Sequence, residues 1–371
     1  MAERFDELGR EAAAAFQVAQ PDRAAVGANL GTATRLGLPA LTVPPEFGGW
    51  GANLLEFASY QQLMARGDGA TALVLAMHHM LVGGEAEAGG WPPAPWEELC
   101  AAAVSRGALV NSAATEPGAG TPSQAGLPLT RALPAADEQG PWRLSGRKTY
   151  TTGGPYLSHL RVSARVAPPG VDAYGARFLV RLPAPGITFE DAWQPAALAG
   201  AANDDVVLDD VEGELLYPEQ GRGCEGTVWF QVAIAATYLG IGFRAYEEVL
   251  EFSRSRVTAS GRVTDRETVR LRLGRAHAGL QAARRALLDT CREWVEAGPG
   301  REALLTDIGL AKVAAVNAAA AAAEEAVRLG GAAGLGAGNV FARLLLETRA
   351  GLSHPPLDDV AYLRLAERDL G

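Results

Sequence analysis

The 371-residue chain reads as an α+β multidomain protein. An N-terminal α-helical domain is predicted over residues 1–107, a middle antiparallel β-barrel domain over 108–217 and a C-terminal four-helix bundle over 218–371. Three observations predict this order. Apolar residues recur at helical spacing up to Arg106, a period of two broken by glycine and proline follows from Ala108, and helical spacing returns from Glu225. The length suits two or three units of roughly 100 to 200 residues each.

Phe5, Leu8, Ala12 and Phe16 open the helical part, and a second run spans Leu54 to Met64. Between them, Gly37 to Gly49 reads as a structured connector, because its prolines block helix and its paired glycines permit a tight loop. Gly89 to Pro95 is a second breaker cluster, with helix resuming from Trp96. In the middle third, Leu160 to Val166 alternates apolar and polar residues, and turn residues punctuate at 118–126, 153–155, 168–170 and 183–186. That texture suits a barrel or sandwich more than a βαβ array. Val269, Leu273, Ala276, Leu280, Ala283 and Leu287 repeat at alternating steps of four and three, a bundle seam. Ala318 to Ala323 reads as a high-propensity helix.

Composition narrows the function. Hydrophobic residues at 48% and charged residues at 20% describe a chain that folds. The net charge of −10 has the wrong sign for nucleic acid or an anionic membrane surface. Val232 to Phe243 and Val313 to Ala323 are too short and interrupted to suggest a bilayer span. The acidic residues Glu3, Asp6 and Glu7 oppose a secretory signal, so a cytoplasmic location is expected. Cys100, Cys224 and Cys291 have neither disulfide-framework nor metal-ligand spacing, and His78-His79 lacks supporting ligands. No metal site is predicted.

Two elements carry chemistry. Ala114-Thr115-Glu116-Pro117-Gly118-Ala119-Gly120-Thr121 follows an apolar strand; its glycines let backbone close on a flat ligand and its threonines offer hydroxyls, although alone it could be only a turn. Gly146 to Gly154 places Tyr150 and Thr152 at alternate strand positions, predicting one face with an aromatic plate and a hydroxyl.

Together these resemble the acyl-CoA dehydrogenase superfamily of flavoproteins, which places a T-E-P-G-A-G turn and a G-x-K-x-[WY]-x-T-x-G strand between a helical domain and a four-helix bundle. The loop Val43 to Gly51 is similar to the family's early connector. The resemblance, which extends over nearly the whole chain, implies FAD as cofactor: Thr115 contacts the flavin ring, Tyr150 packs near it, Thr152 stands near N5, and Thr121 lies beside substrate. Phe252-Ser253-Arg254-Ser255-Arg256 looks like the helix end whose second arginine pairs with the FAD pyrophosphate across a subunit boundary. Arg256 suits bidentate phosphate contact; an exposed charged helix end is the plainer alternative. The family's phenylalanine-glycine after this arginine is replaced by Thr258-Ala259-Ser260-Gly261, and its cofactor-loop glycines are only loosely matched by Gly330 to Gly336.

A dehydrogenase of this family removes a proton α to a thioester carbonyl with a glutamate while a hydride passes to flavin N5. The two family positions for that base fall here at Pro355-Pro356 and near Phe230, and neither can take a proton. Instead, Arg349 followed five residues later by His354 resembles the reduced-flavin monooxygenases of the same fold, in which the histidine manages protons near neutrality. A surface-loop histidine is the alternative. Asp358, with Asp359, is a candidate base or simply the start of the last helix.

Three classes follow: an FAD-dependent dehydrogenase of an acyl thioester, with electron-transfer flavoprotein as partner; a two-component monooxygenase taking reduced FMN or FAD as cosubstrate from a flavin reductase; or a catalytically degenerate flavin- or acyl-binding relative. The dehydrogenase ranks first on the complete T-E-P-G-A-G element and the monooxygenase close behind. The resemblance implies a homotetramer, or a dimer at least.

Overall fold

The computed structural model describes residues 2–16, 21–118, 126–134, 141–193, 195–259, 261–336 and 338–371. Five helices come first: α1 (Ala2–Ala15), α2 (Arg23–Arg35), α3 (Leu54–Met64), α4 (Gly69–Ala88) and α5 (Pro93–Arg106). Their ends follow local chemistry. Asn53 and Glu56 form a capping box on α3, and the buried Asp68 carboxylate accepts from Thr71 N at the start of α4. α5 starts at Pro93 rather than Trp96, since proline is tolerated in a first helical turn.

Strands β1 (Val110–Ala113), β2 (Arg131–Pro134), β3 (Trp142–Thr151), β4 (His159–Val166), β5 (Tyr174–Arg181), β6 (Ile187–Glu190) and β7 (Asp204–Pro218) follow. The pairings β4–β2–β3–β7–β5–β4 close a ring, with β1 beside β4 and β6 beside β7. The barrel is mixed, not purely antiparallel as expected, because β4 pairs parallel with both β1 and β2. Alternation shows which faces a strand buries but not the direction of its neighbour, and parallel pairing needs long connections such as the one joining β1 to β4. The long β7 closes the barrel by pairing first with β3, up to Gly213, and then with β5, from Glu214.

Helices α6 (Glu225–Ser255), α7 (Glu267–Glu296), α8 (Leu305–Gly330), α9 (Val340–Ala350) and α10 (Asp358–Leu370) complete the chain, with a two-stranded β8–β9 hairpin (Val257–Thr258, Gly261–Arg262) after α6. All six residues of the α7 seam are buried, with Cys291 and Trp294 continuing the stripe. α6 is the axis of the helical part, touching α3, α4, α7, α8 and α9. By length and composition α6, and α8 with its flanking turns, are apolar enough to cross a bilayer, a property the shorter runs conceal. Packing accounts for it: nearly every residue of α6 from Val228 to Phe243 is buried.

Small residues permit this crowding. A Cβ on Gly240 would stand 2.5 Å from the Gln62 carbonyl oxygen of α3, and one on Gly242 would stand 2.6 Å from Ala319 Cα of α8. Helix propensity alone would make Gly242→Ala more stable by about 1 kcal/mol, whereas forcing apart two packed backbones costs about 1–3 kcal/mol. A net loss of stability in urea denaturation is therefore expected, and a rise in the midpoint would contradict so close a crossing.

Candidate functional site

The two sequence elements meet at one end of the barrel. Thr149 N donates to the Thr115 carbonyl at 3.0 Å, and the joint beneath it is a buried ion pair that sequence reasoning missed. Glu116 accepts from Lys148 Nζ (2.6 Å), Leu129 N (2.6 Å), Thr130 N (2.8 Å) and Thr130 Oγ1 (2.6 Å). Lys148 Nζ also donates to Ser163 Oγ at 3.0 Å. Burial by itself would raise the Glu116 pKa, but the Lys148, Thr130 and Leu129 donors outweigh it and hold the carboxyl down, at about 2. A signal was present: Leu144, Gly146 and Lys148 share strand parity, so an inward Leu144 directs Lys148 inward too, where an ammonium demands partners.

Beyond Lys148 the regular strand fails. Two residues of β3, Thr149 and Tyr150, oppose the single Asp205 of β7, and Tyr150 adopts φ +56°. Tyr150 and Thr152 consequently do not share a face as expected: Tyr150 is 53% exposed, while Thr152 is 7% exposed. Asp205 anchors the bulge, accepting from Thr149 Oγ1 (2.5 Å) and Arg147 Nη2 (2.6 Å). The Tyr150 ring meets Trp193 edge to face, centroids 5.0 Å apart. Thr152 Oγ1 donates to Asn203 Oδ1 at 2.6 Å, and Asn111 Nδ2 donates to the Thr152 carbonyl at 2.8 Å. Thr115 is half-buried. Thr121 lies outside the described residues. An exposed aromatic pair beside rigidly held hydroxyls suits the flat, partly polar ring of a flavin.

A second group forms between α6, α8 and the loop after α9. His354 is half-buried, its ring 6.2 Å from Phe230 and 5.6 Å from Tyr238 by centroids, with Nε2 3.1 Å from Tyr238 Oη. Gly351 allows the approach, since a Cβ there would stand 2.8 Å from Tyr238 Cγ. Burial, then the Lys312 charge, hold the His354 pKa below its ordinary value, so the imidazole is neutral at pH 7. Lys312 Nζ donates to the carbonyls of His354 (2.6 Å) and Pro356 (3.1 Å). Asp358 sits in the first turn of α10, where its Oδ2 accepts from Asn317 Nδ2 at 2.6 Å. Glu347, one turn before Gly351 on α9, is buried; one carboxyl oxygen accepts from Arg343 at 3.0 Å, and burial pushes its pKa up to about 7.

Arg256 stands apart from the His354 group. It follows the last residue of α6, about 27 Å along the axis from Tyr238 at 1.5 Å per residue. Its guanidinium lies 5.0 Å from the Phe252 ring centroid and has no carboxylate partner among the described residues. Phe252 and Ser255 line a cleft of about 260 Å³ with Glu248, Glu251, Gly330, Gly334 and Phe341; Arg256 is not among its lining residues. The helix end and the glycine loop, separate in sequence, thus border one cavity.

Removing one partner of a buried pair leaves an uncompensated charge, which costs about 3–5 kcal/mol. Glu116→Gln should lower unfolding stability by that order at pH 7, measured by urea denaturation. The wild-type contribution is present above the ordinary carboxylate pKa and is lost as pH falls toward the depressed folded value, so the gap between the two proteins should close in acid.

Comparison with known proteins agrees with this architecture. Family models for the acyl-CoA dehydrogenase N-terminal, middle and C-terminal domains match residues 6–90, 111–211 and 227–352. YdbM of Bacillus subtilis (strain 168), provisionally named an acyl-CoA dehydrogenase, is 32% identical over 337 residues, covering 89% of this chain and 86% of its own. Butyryl-CoA dehydrogenase from Megasphaera elsdenii superposes with TM-score 0.85 at 20% identity, over 100% of this chain and 98% of that one. FMN-bound TdsC from Paenibacillus sp. A11-2, a dibenzothiophene monooxygenase, superposes with TM-score 0.84 at 20% identity, over 97% and 95%. These structures share the fold. The chain belongs to the acyl-CoA dehydrogenase family of flavin-dependent oxidoreductases.

Proposed function

We propose that this enzyme is a reduced-flavin-dependent monooxygenase in which His354 handles protons beside the flavin. One observation carries the reading. The two sequence positions where a family dehydrogenase would bring its glutamate, Phe230 and Pro355-Pro356, converge in space on His354. On this reading the acid–base place is held by an imidazole and not a carboxylate. The nearest candidate in sequence, Asp358, has its carboxylate engaged by Asn317.

The residues present fit a flavin: Tyr150 and Trp193 offer the aromatic wall, and Thr115 and Thr152 the hydroxyls. When bound in reduced form, that group would supply the electrons that activate dioxygen, one oxygen atom passing to substrate and the other to water. The chain's own part is proton control and exclusion of solvent. A neutral His354 can accept a proton or relay one, Tyr238 fixes its Nε2, and the Phe230 ring covers it. Arg256 would hold a cofactor phosphate of a neighbouring copy in a homotetramer or dimer, and a flavin reductase would be the partner.

A specific observation favours a second reading, α,β-dehydrogenation of an acyl thioester by bound FAD with electron-transfer flavoprotein as acceptor. The T-E-P-G-A-G element is complete in the sequence, and the Thr115 carbonyl is tied to β3 through Thr149 N. The two readings separate in one assay pair. Oxygen consumption that depends on a flavin reductase supports the first, and anaerobic bleaching of tightly held FAD by acyl-CoA supports the second.

His354→Ala should reduce oxygenation by about 10²-fold or more while flavin affinity stays within about twofold; unimpaired turnover would reject the assigned role. Arg256→Ala removes a charge-assisted contact of about 1.5–3 kcal/mol, so the Kd for FAD should rise by about 10- to 100-fold in a fluorescence titration. An unchanged Kd would remove the phosphate contact.

A further inference from the structure

Thirty-three basic side chains are present, yet only two are lysines, Lys148 and Lys312. Both are fully buried. Wherever a cation meets solvent the chain uses arginine, so a lysine remains at two interior places alone. Lys148 ties the Thr115 turn to β3. Lys312, on the inward face of α8, has no role in the site as derived so far.

Its contacts suggest one. The ammonium carries three N–H donors, and two of them reach carbonyls of one loop, those of His354 at 2.6 Å and Pro356 at 3.1 Å. These residues flank the tight turn that presents the imidazole to Tyr238 and Phe230. An ammonium out of water is held only by well-placed acceptors, so the contact fixes both partners. A compact, three-donor head fits two carbonyls of one turn, whereas the wide planar fork of arginine would need the loop to open.

We propose that Lys312 is a positioning residue for the reaction: by holding the His354 and Pro356 carbonyls it sets the height and orientation of the His354 imidazole. This rests on the reading of His354 given above. Burial lowers the Lys312 pKa to about 8, with Asp358 acting in the opposite sense. At neutral pH the ammonium is therefore charged, and its charge and that of a protonated His354 would repel. Tyr238 on α6, Asp358 on α10 and Glu347 on α9 are the other titratable groups around this loop. Removing the Lys312 charge should raise the His354 pKa toward its ordinary value.

The test uses the full-length protein with Lys312→Met, a substitution of similar length without donors. With a flavin reductase and a turnover substrate, kcat should fall on the order of 10²-fold, the cost of a misplacement of about 1 Å, while KM and the flavin Kd stay within about twofold. Unchanged kcat would overturn the proposal, and so would an equal loss in KM and flavin binding, which marks general damage. A second readout needs no turnover. Diethyl pyrocarbonate labelling, read by peptide mass spectrometry, should modify His354 several-fold faster in Lys312→Met, with the half-buried His277 as internal control. Equal labelling of His354 in both proteins would overturn the proposal. If Lys312→Met does not fold, Lys312→Gln, which keeps two donors on a shorter stem, is measured in its place with the same expected directions. If wild-type protein turns over nothing with any flavin, the functional reading fails alone, and the labelling comparison still decides the contact.

Discussion

An ammonium group in a dry interior must be saturated with acceptors, and in this protein that constraint falls on the two segments of the candidate site. Lys148 draws in the Glu116 carboxylate and Ser163, and with Glu116 comes the turn bearing Thr115. Lys312 draws in two carbonyls of the turn bearing His354. Neither contact makes a large net contribution to stability, because desolvation offsets most of the attraction. What both supply is definition. A loop tied to a buried charge has one acceptable position, since any other leaves the charge without partners. Threonine hydroxyls and an imidazole placed by loops would otherwise inherit the looseness of those loops.

The same constraint explains the bulge at Thr149–Tyr150. Lys148 must point inward, and Thr149 is held through its N–H to Thr115 and its hydroxyl to Asp205. An extra residue on β3 then swings Tyr150 out to φ +56°, where the ring leaves the sheet and meets Trp193. A tyrosine in the left-handed region is unfavourable by roughly 1–3 kcal/mol, and such strain persists where surrounding contacts over-determine it. Regular alternation would have put the ring on the same inward face as Lys148, inside the barrel, without the projection that an aromatic wall requires.

Much of this was legible in the sequence, and the boundary is physical. Periodicity exposed what depends on a single element: the α7 seam, the run that became α3, and the alternation of β4. The two chemical elements were also visible, because glycine and hydroxyl residues cluster there. Pairing across the chain was not. Nothing local tells β4 to lie parallel to β1 and β2, or tells Glu116 to meet Lys148 across 32 positions. The bulge was hidden because one-residue insertions leave composition unchanged. His354 was singled out by its distance from Arg349, yet its neighbours Phe230 and Tyr238 lie more than a hundred residues away on α6. Lysine scarcity was countable from the start, but it gains meaning only when both lysines prove to be buried.

The length of α6 links these local arrangements to a division of labour. Its N-terminal half presents Phe230 and Tyr238 to His354, and its C-terminal end carries Arg256 about 27 Å away. One rigid helix therefore cannot deliver both ends to the same reacting atom. On the proposed reading, the acid–base end serves the chain's own cleft, while the arginine end, beside the glycine loop, serves a cofactor held mainly by another copy. The reaction class then turns on the first end and cofactor retention on the second. Replacing a glutamate by an imidazole near Phe230 alters which protons can move without touching the phosphate contacts. On that reading a family changes its chemistry while the fold stays the same.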